Sequence, residues 1–187
     1  MVLWVLLGLV AVAVVWVIIK YNGLIRLRNQ VTNGWKQIDV QLKRRHDLIP
    51  NLVNTVKGIM EFERDTLERV VAARSAAMGA RGAADAAAKE GALTDALSKF
   101  FVVVEQYPQL RSSENVRQLQ EELTSTENKI SFARQFYNDI ATQFNTAQQV
   151  FPDNVIAGMF GFQPAELFEI TEAAERAVPA VDLSLKK

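Results

Sequence analysis

The sequence predicts an all-α protein: an N-terminal transmembrane helix followed by an antiparallel, up-and-down four-helix bundle with long helices. Three observations predict this fold. The chain starts with a long uncharged apolar run, apolar residues then recur at alternating spacings of three and four, and prolines and small residues divide this region into helix-length segments. We therefore predict an anchor at residues 1–20, a bundle at residues 21–151, and a C-terminal part at residues 152–187.

The anchor is predicted from residues 2–19, which carry no charge and are rich in valine and leucine. As a helix this run is about 27 Å long, close to the ~30 Å thickness of the bilayer hydrocarbon. Trp16 and Tyr21 suit the interfacial layer, and we predict them as membrane or partner contacts. A cleaved signal peptide is the alternative, but such peptides have a basic start and a shorter apolar core, which favours a retained anchor.

Positive charges predict the orientation of the anchor. Lys20, Arg26 and Arg28 follow the apolar run, whereas no charged side chain precedes it, and Asp39 is the only acidic residue from position 20 to position 45. The positive-inside rule then places the N-terminus outside and the bundle in the cytoplasm.

The first bundle helix is predicted from residue 21 to near residue 49. One series on its packed face recurs every seven residues and ends on a charge: Leu24, Val31, Ile38 and Arg45. Pro50 lacks a backbone N–H and crowds the turn before it, so we expect the chain to kink or reverse near residues 46–49. His46, the only histidine, lies at this predicted helix end, where capping or solvent exposure is the ordinary explanation.

The second helix is predicted from residue 51 to about residue 78, and two of its charged side chains fall on its apolar face. These are Glu63 and Arg74. A charge in a packed seam is costly unless it is paired, and about three helical turns separate these two residues. We therefore predict Glu63 and Arg74 as a structural polar core, each with a partner on a neighbouring helix. A functional carboxylate is the alternative for Glu63.

The other two helices follow a small-residue stretch. Residues 79–91 are predicted as a tip connection, with a frayed Ala-rich helical turn as the alternative. A third helix is predicted from about residue 93 to residue 107. The fourth begins after Ser112 or Ser113, which are good N-cap residues, and keeps a seven-residue repeat until the next proline. A two-stranded coiled coil would also explain that repeat, but three other helices with matching faces favour a bundle.

In an up-and-down bundle the segment after the fourth helix returns to the bilayer surface. This segment is too apolar for an ordinary exposed linker. Its predicted membrane or partner contacts are Phe151, Ile156, Met159, Phe160 and Phe162. The segment can dip into the headgroup region, dock on the bundle end or contact another subunit, and the sequence does not rank these placements. A short acidic helix is predicted at residues 164–177, followed by a mobile tail.

Composition argues against catalytic chemistry. The chain has no cysteine and one histidine, which excludes thiolate nucleophiles, disulfides and zinc sites built on thiolates or several imidazoles. No glycine-rich phosphate loop or Ser-His-Asp set is present. The 21 basic and 21 acidic residues balance, which does not indicate a nucleic-acid partner. We therefore predict no catalytic, metal-binding or cofactor-binding residues.

Two long blocks resemble the signature of the LemA family. They read RNQVTNGWKQIDVQLKRRHDLIPNLVNTVKG at residues 28–58 and SENVRQLQEELTSTENKISFARQFYNDIATQFNTAQQVFPDNVIAGMFGF at residues 113–162. The resemblance implies a bacterial inner-membrane protein with an N-terminal anchor and a four-helix bundle. It also implies a membrane-protein quality-control or TPM-domain partner. One departure is Phe62, which stands where many relatives have a histidine beside the residue equivalent to Glu63, and this argues against metal chemistry there.

These observations predict a non-enzymatic membrane scaffold or adaptor that assembles into a homo-oligomer. The alternative is a lipid- or apolar-peptide-binding module at the membrane surface. Polar residues of the two blocks, such as Asn33, Gln37 and Asn138, either line a partner surface or tie helices together, and we favour the second interpretation.

Overall fold

The computed structural model describes residues 1–60 and 63–169 of the chain, and these residues form helices and no strand. The helices, in chain order, are α1 (Val2–Val56), α2 (Arg64–Met78), α3 (Gly82–Val104), α4 (Pro108–Arg111), α5 (Glu114–Gln149) and α6 (Asp153–Met159). The predicted all-α class is confirmed for this part of the chain.

The N-terminal apolar run forms the first turns of α1, a single helix of 55 residues. By length and composition, α1 is the one described helix able to cross a membrane. The large apolar side chains of this run are exposed, and the first buried residue is Leu24. A single unbroken helix thus connects the exposed apolar run with the residues that pack against the rest of the protein.

The chain does not reverse at Pro50, because α1 continues through the proline to Val56. Proline inside a helix costs about 3 kcal/mol. Ile49, Leu52 and Val56 are fully buried in this stretch, and each such side chain contributes about 1.5–3 kcal/mol, which outweighs that cost. The reversal lies at residues 57–63, so the second helix starts later than predicted.

Most of the small-residue stretch at residues 79–91 is helix, and the connection is shorter than predicted. α3 begins at Gly82, and only residues 79–81 separate it from α2. Alanine has the highest helix propensity, and its short side chain lets neighbouring helices approach closely. Ala83, Ala86 and Ala87 are buried, which explains why this part of α3 is packed and not frayed.

The core extends along the helices in three clusters. The cluster farthest from the apolar run joins side chains of α1, α2, α3 and α5, among them Leu52, Val70, Phe100 and Leu123. A middle cluster lies between α1, α3 and α5, and a third joins Leu24 to α6. α1 and α5 run antiparallel, because Gly34 lies against Tyr137 whereas Arg45 contacts Glu127.

The predicted helix at residues 164–177 is wrong in its described part. Residues 162–169 carry no regular secondary structure. Residues 163–169, which we call the strap, lie along α5, and their backbone is bonded by α5 side chains instead of by a helix of their own. The rest of that predicted helix and the predicted tail lie outside the described residues.

Candidate functional site

The most distinctive surface lies where the apolar run of α1 ends. Lys20 is the first charged residue after that run, and its Nζ lies 2.8 Å from Asp153 Oδ1 in the first turn of α6. The ion pair therefore holds α6 beside the end of the apolar run of α1.

The local sequence explains the shape of residues 151–162, which contain α6 and which we call the α6 segment. Gly161 has a φ of 66°, a left-handed conformation that glycine adopts without strain. This allows the Phe162 N–H to bond the Ala157 carbonyl at 3.0 Å and the Gly161 N–H to bond the Gly158 carbonyl at 3.3 Å. This pair of bonds is a Schellman motif, which ends α6 and turns the chain back onto the protein.

One side of the α6 segment docks on the protein. Ile156 is buried against Leu24, and the Phe162 ring lies 5.9 Å from the Tyr21 ring and 6.3 Å from the Phe144 ring, centroid to centroid. The Arg28 guanidinium carbon lies 5.7 Å from the Phe162 centroid, within cation–π range. Three placements were predicted for this segment, and Ile156 and Phe162 are docked on the protein's own end. Ile156 therefore belongs to the core and not to a contact surface.

The other side of this segment faces outward. Phe151 is 77% exposed and Met159 is 72% exposed, and about half of each of Val155 and Phe160 is exposed. We call Phe151, Val155, Met159 and Phe160 the boundary face. Of the other predicted contact residues, Trp16 lies on the exposed apolar run, and Tyr21 is half-buried with its ring 4.7 Å from that of Phe160.

Glu63 and Arg74 each bond a residue of another element. Tyr107 Oη donates to Glu63 Oε1 at 3.1 Å, and burial, with that hydrogen bond, raises the pKa of Tyr107. Arg74 Nε donates to the His46 carbonyl oxygen at 2.6 Å. That carbonyl is the one that residue 50 would bond in an unbroken helix, so Arg74 replaces the donor that Pro50 lacks.

A buried ionic cluster joins α1, α3 and α5, and sequence reasoning missed it. Glu90 accepts from Arg45 at 3.2 Å through Oε2 and lies 2.6 Å from His46 Nε2 through Oε1. Arg45 also bonds Thr94 at 2.7 Å and Glu127 at 3.0 Å. His46 is only 8% exposed, so the expectation of a capping or solvent-exposed histidine is wrong.

The sequence held one signal for this cluster. Arg45 continues the seven-residue apolar series of α1, and a charge at such a position needs a buried partner. Glu90 was hidden because its stretch was interpreted as a connection. Both oxygens of the Glu90 carboxylate are occupied by Arg45 and His46, which joins α3 to α1, and the Arg45–Glu127 ion pair adds α5. Among residues 1–60 and 63–169, no group of three or more acidic, histidine or cysteine side chains is placed to hold a metal ion.

The strap is held by α5 side chains that bond its backbone. Asn145 donates to the Ala165 carbonyl at 2.9 Å and accepts from the Ala165 N–H at 2.7 Å. Asn138 does the same with Phe168, at 3.1 and 2.9 Å. Tyr137 Oη donates to the Glu166 carbonyl at 2.7 Å, and burial raises the pKa of Tyr137. Each asparagine thus pairs with a strap residue as a neighbouring strand would.

Two features anchor the strap further. Phe168 is buried, with its ring 6.2 Å from that of Trp35. At the start of α3, Gly82 has a φ of 79°, and a Cβ there would lie 2.9 Å from Glu166 Oε2. The strap therefore covers the junction of α1, α3 and α5.

Comparisons with known proteins identify a family for this chain and two kinds of relative. The profile of the LemA family matches residues 34–183. A protein LemA of Metamycoplasma hominis is 26% identical over 157 residues, covering 82% of this chain and 70% of that protein. Magnetosome protein MamQ 2 of Paramagnetospirillum magneticum is 23% identical over 187 residues, covering 86% of this chain and 69% of the relative. Magnetosome protein MamQ of Magnetospirillum gryphiswaldense has the same identity and coverage.

Proposed function

Because the chain belongs to the LemA family, we propose that it is a non-enzymatic, single-pass bacterial membrane protein that acts as a scaffold or adaptor and self-assembles at the membrane. The observation that carries this proposal is α1, which continues as one helix from the apolar run into the rest of the described chain, residues 20–60 and 63–169, which we call the packed part. Such a helix fixes the packed part relative to the bilayer. From Lys20 to Val56 this helix is about 54 Å long. A rigid helix of this length would hold binding surfaces at a fixed distance from the bilayer.

The helical arrangement that we propose for this display is an antiparallel, up-and-down four-helix bundle. Arg45 of α1 bonds Glu90 of α3 and Glu127 of α5, which supports the placement of these three helices around one core. The bond from Arg74 to the His46 carbonyl supports packing of α2 on α1. The short turn between α2 and α3 supports their opposite directions.

The location that we propose is the bacterial inner membrane, with the N-terminus outside and the bundle in the cytoplasm. The support is the cluster of Lys20, Arg26 and Arg28 directly after the apolar run. As the family resemblance implies, the adaptor form would take a membrane-protein quality-control or TPM-domain protein as its partner.

The buried chemistry supports a structural role. His46 and Glu90 carry the groups most suited to acid–base catalysis, but they bond each other and lie inside the protein. A general acid or base must reach the proton of its substrate within hydrogen-bond distance. The geometry therefore favours ion pairs that hold helices together.

The experiment that tests the scaffold is the mass and composition of full-length particles extracted with their surrounding lipid. Several copies of this chain in one particle support self-assembly. A second protein at fixed stoichiometry supports the adaptor form, and its identity names the process. A lone chain in every lipid and extraction polymer tested contradicts both forms.

The boundary face favours a second candidate function, a lipid- or apolar-peptide-binding module at the membrane surface. Its four exposed apolar side chains lie beside Lys20, where the bilayer surface is expected. Apolar side chains at this depth insert among the headgroups and acyl-chain ends.

A triple variant separates the two candidates: Phe151→Ser, Met159→Ser and Phe160→Ser. Val102→Ser is the control, because Val102 is 63% exposed, within the range of the three substituted residues, but lies near the far end of the packed part. A lower particle mass for the triple variant assigns the boundary face to subunit contacts. An unchanged mass, with faster hydrogen exchange at residues 151–162 in nanodiscs, assigns it to lipid.

A further inference from the structure

Helix α5 carries a second periodic face that stays exposed within the described part of the chain. Its members follow the alternating three and four spacing of one helix face, and all are exposed: Ser125, Lys129, Phe132, Phe136, Asp139 and Gln143. Phe132 is 73% exposed and Phe136 is 47% exposed. The buried face of α5, which packs on α1, lies one residue further along the helix and includes Ile130 and Tyr137.

Helix α1 extends this apolar patch. Val40 is exposed and lies with Phe132 and Phe136 along a groove of about 610 Å³ between α1 and α5. Single exposed apolar residues are ordinary, but three large ones lining one groove, two of them phenylalanines, are typical of an interaction surface.

The charges beside the patch are arranged symmetrically. Lys129 lies three residues before Phe132, and Asp139 lies three residues after Phe136. Neither side chain forms a salt bridge within the described part of the chain. Reversing the direction of this face exchanges the two phenylalanines and places the lysine opposite the aspartate. The face is therefore complementary to an antiparallel copy of itself.

We propose that this face is the interface at which a second copy of the chain docks, with the two α5 helices antiparallel about a twofold axis between Phe132 and Phe136. Phe132 of one copy then packs on Phe136 of the other, and Lys129 of each copy pairs with Asp139 of the other. Such an interface uses the same surface on both copies. The inference rests on the proposed self-assembly and gives it a surface and a direction.

The charge order selects the antiparallel arrangement. In a parallel pair, Lys129 would face Lys129 and Asp139 would face Asp139 at helix–helix distances of about 8–10 Å. Opposed like charges disfavour a wrong arrangement, and less so where water screens them, so they select register and direction more than affinity.

This arrangement sends the two anchors in opposite directions. Gly34 lies against Tyr137 and Arg45 contacts Glu127, so the twofold axis, level with residue 134 of α5, crosses α1 about a third of the way from Gly34 to Arg45. That level lies about 26 Å from Lys20, so two bilayer surfaces about 50 Å apart would be joined. The distance from Lys20 to Val56 is about the same, so the far end of each copy would reach the opposite surface.

Charge reversal tests the pairing in the full-length protein in detergent micelles, where both directions of association are open. Lys129→Asp or Asp139→Lys alone is expected to raise the dimer dissociation constant by about tenfold or more, and the double reversal to bring it back within about threefold of wild type. Lys99→Asp, an exposed lysine on α3, is the matched control. Single reversals that behave like the control, or a double reversal without recovery, overturn the proposal.

Cross-linking tests the direction, and the absence of native cysteine makes it specific. Antiparallel packing brings Ser125 of one copy beside Gln143 of the other, whereas the two Ser125 positions lie about 27 Å apart. A mixture of Ser125→Cys and Gln143→Cys chains is expected to form disulfide dimers, and neither variant alone. Dimers of the Ser125→Cys chain alone indicate parallel packing and overturn the proposal.

A third outcome separates this inference from the proposed scaffold. If no cysteine pair cross-links while extracted particles still hold several copies, the α5 interface is wrong and self-assembly uses another surface. If the particles hold one chain and no cross-link forms, both proposals fail.

Discussion

Arg74 and Pro50 show how one residue corrects a defect created by another. Pro50 leaves the His46 carbonyl without its helical donor, and Arg74 supplies one from α2. We expect Arg74→Met to lower the free energy of unfolding by about 1–3 kcal/mol, because it leaves a part-buried acceptor unpaired. Pro50→Ala restores a backbone donor, so the same Arg74 substitution is expected to cost less in that background. Urea denaturation of all four chains in micelles measures this cycle, and equal costs in both backgrounds would contradict the account.

Glu90 is predicted to be the most sensitive acidic residue. Glu90→Gln leaves the Arg45 charge buried with only Glu127 to balance it, and removing one partner of a buried ion pair typically costs about 3–5 kcal/mol. Glu121→Gln is the control, because Glu121 pairs with Arg117 on an exposed helix face, where such pairs contribute about 0–1 kcal/mol. Thermal unfolding of both variants checks this order. Similar losses of stability in the two variants would show that the buried cluster does not stabilise the packing of the helices.

For single residues, the sequence showed which charged side chains need a buried partner, but it did not show which residues those partners are. The apolar pattern identified Glu63, Arg74 and Arg45 as charges on packed faces. It did not identify Glu90 as a partner or the burial of His46, because both depend on which helices meet. Tyr107 was equally hidden, since a hydrogen bond between residues 63 and 107 leaves no periodic trace.

Among the elements, the strap depends most on single side chains. Asn138→Ala or Asn145→Ala removes two hydrogen bonds to the strap backbone. Each substitution is expected to cost about 1–3 kcal/mol of strap docking and to speed hydrogen exchange at residues 163–169. Asn128→Ala on the exposed face of α5 is the matched control, expected within about 0.5 kcal/mol of wild type. Exchange rates that stay unchanged in both strap variants would show that Phe168 alone holds the segment.

Element boundaries followed from the sequence only where local signals agreed with packing. The start of α5 at Ser113 was predicted because a serine and the start of the apolar repeat coincide there, although the Ser113 side chain makes no cap hydrogen bond. The end of α1 was not, because burial of the turn after Pro50 outweighs the proline signal. The strap could not be predicted, since its acidic, alanine-containing sequence favours a helix and the asparagines that override this preference belong to α5.

For the whole molecule, composition and periodicity were sufficient for the all-α class and the long apolar N-terminal helix. The height at which α6 docks was not predictable from its own sequence, because the Lys20–Asp153 pair and the Tyr21 ring contacts join residues far apart in the chain. From this docking we propose that the boundary face lies at the bilayer surface while the rest of the packed part stands in water.

The most direct test is the depth of single fluorescent labels in liposomes, each attached to one introduced cysteine of the full-length chain. Gly8→Cys labels the apolar run, where a Cβ meets no other atom within 4 Å; Met159→Cys labels the boundary face, and Val102→Cys the far end. With liposomes dilute enough that two bilayers do not pair, we expect quenching of residue 8 by acyl-chain quenchers, of residue 159 by headgroup quenchers, and of residue 102 by neither. If lipid quenchers affect the label at residue 159 no more than the label at residue 102, the placement of the boundary face at the bilayer surface is wrong.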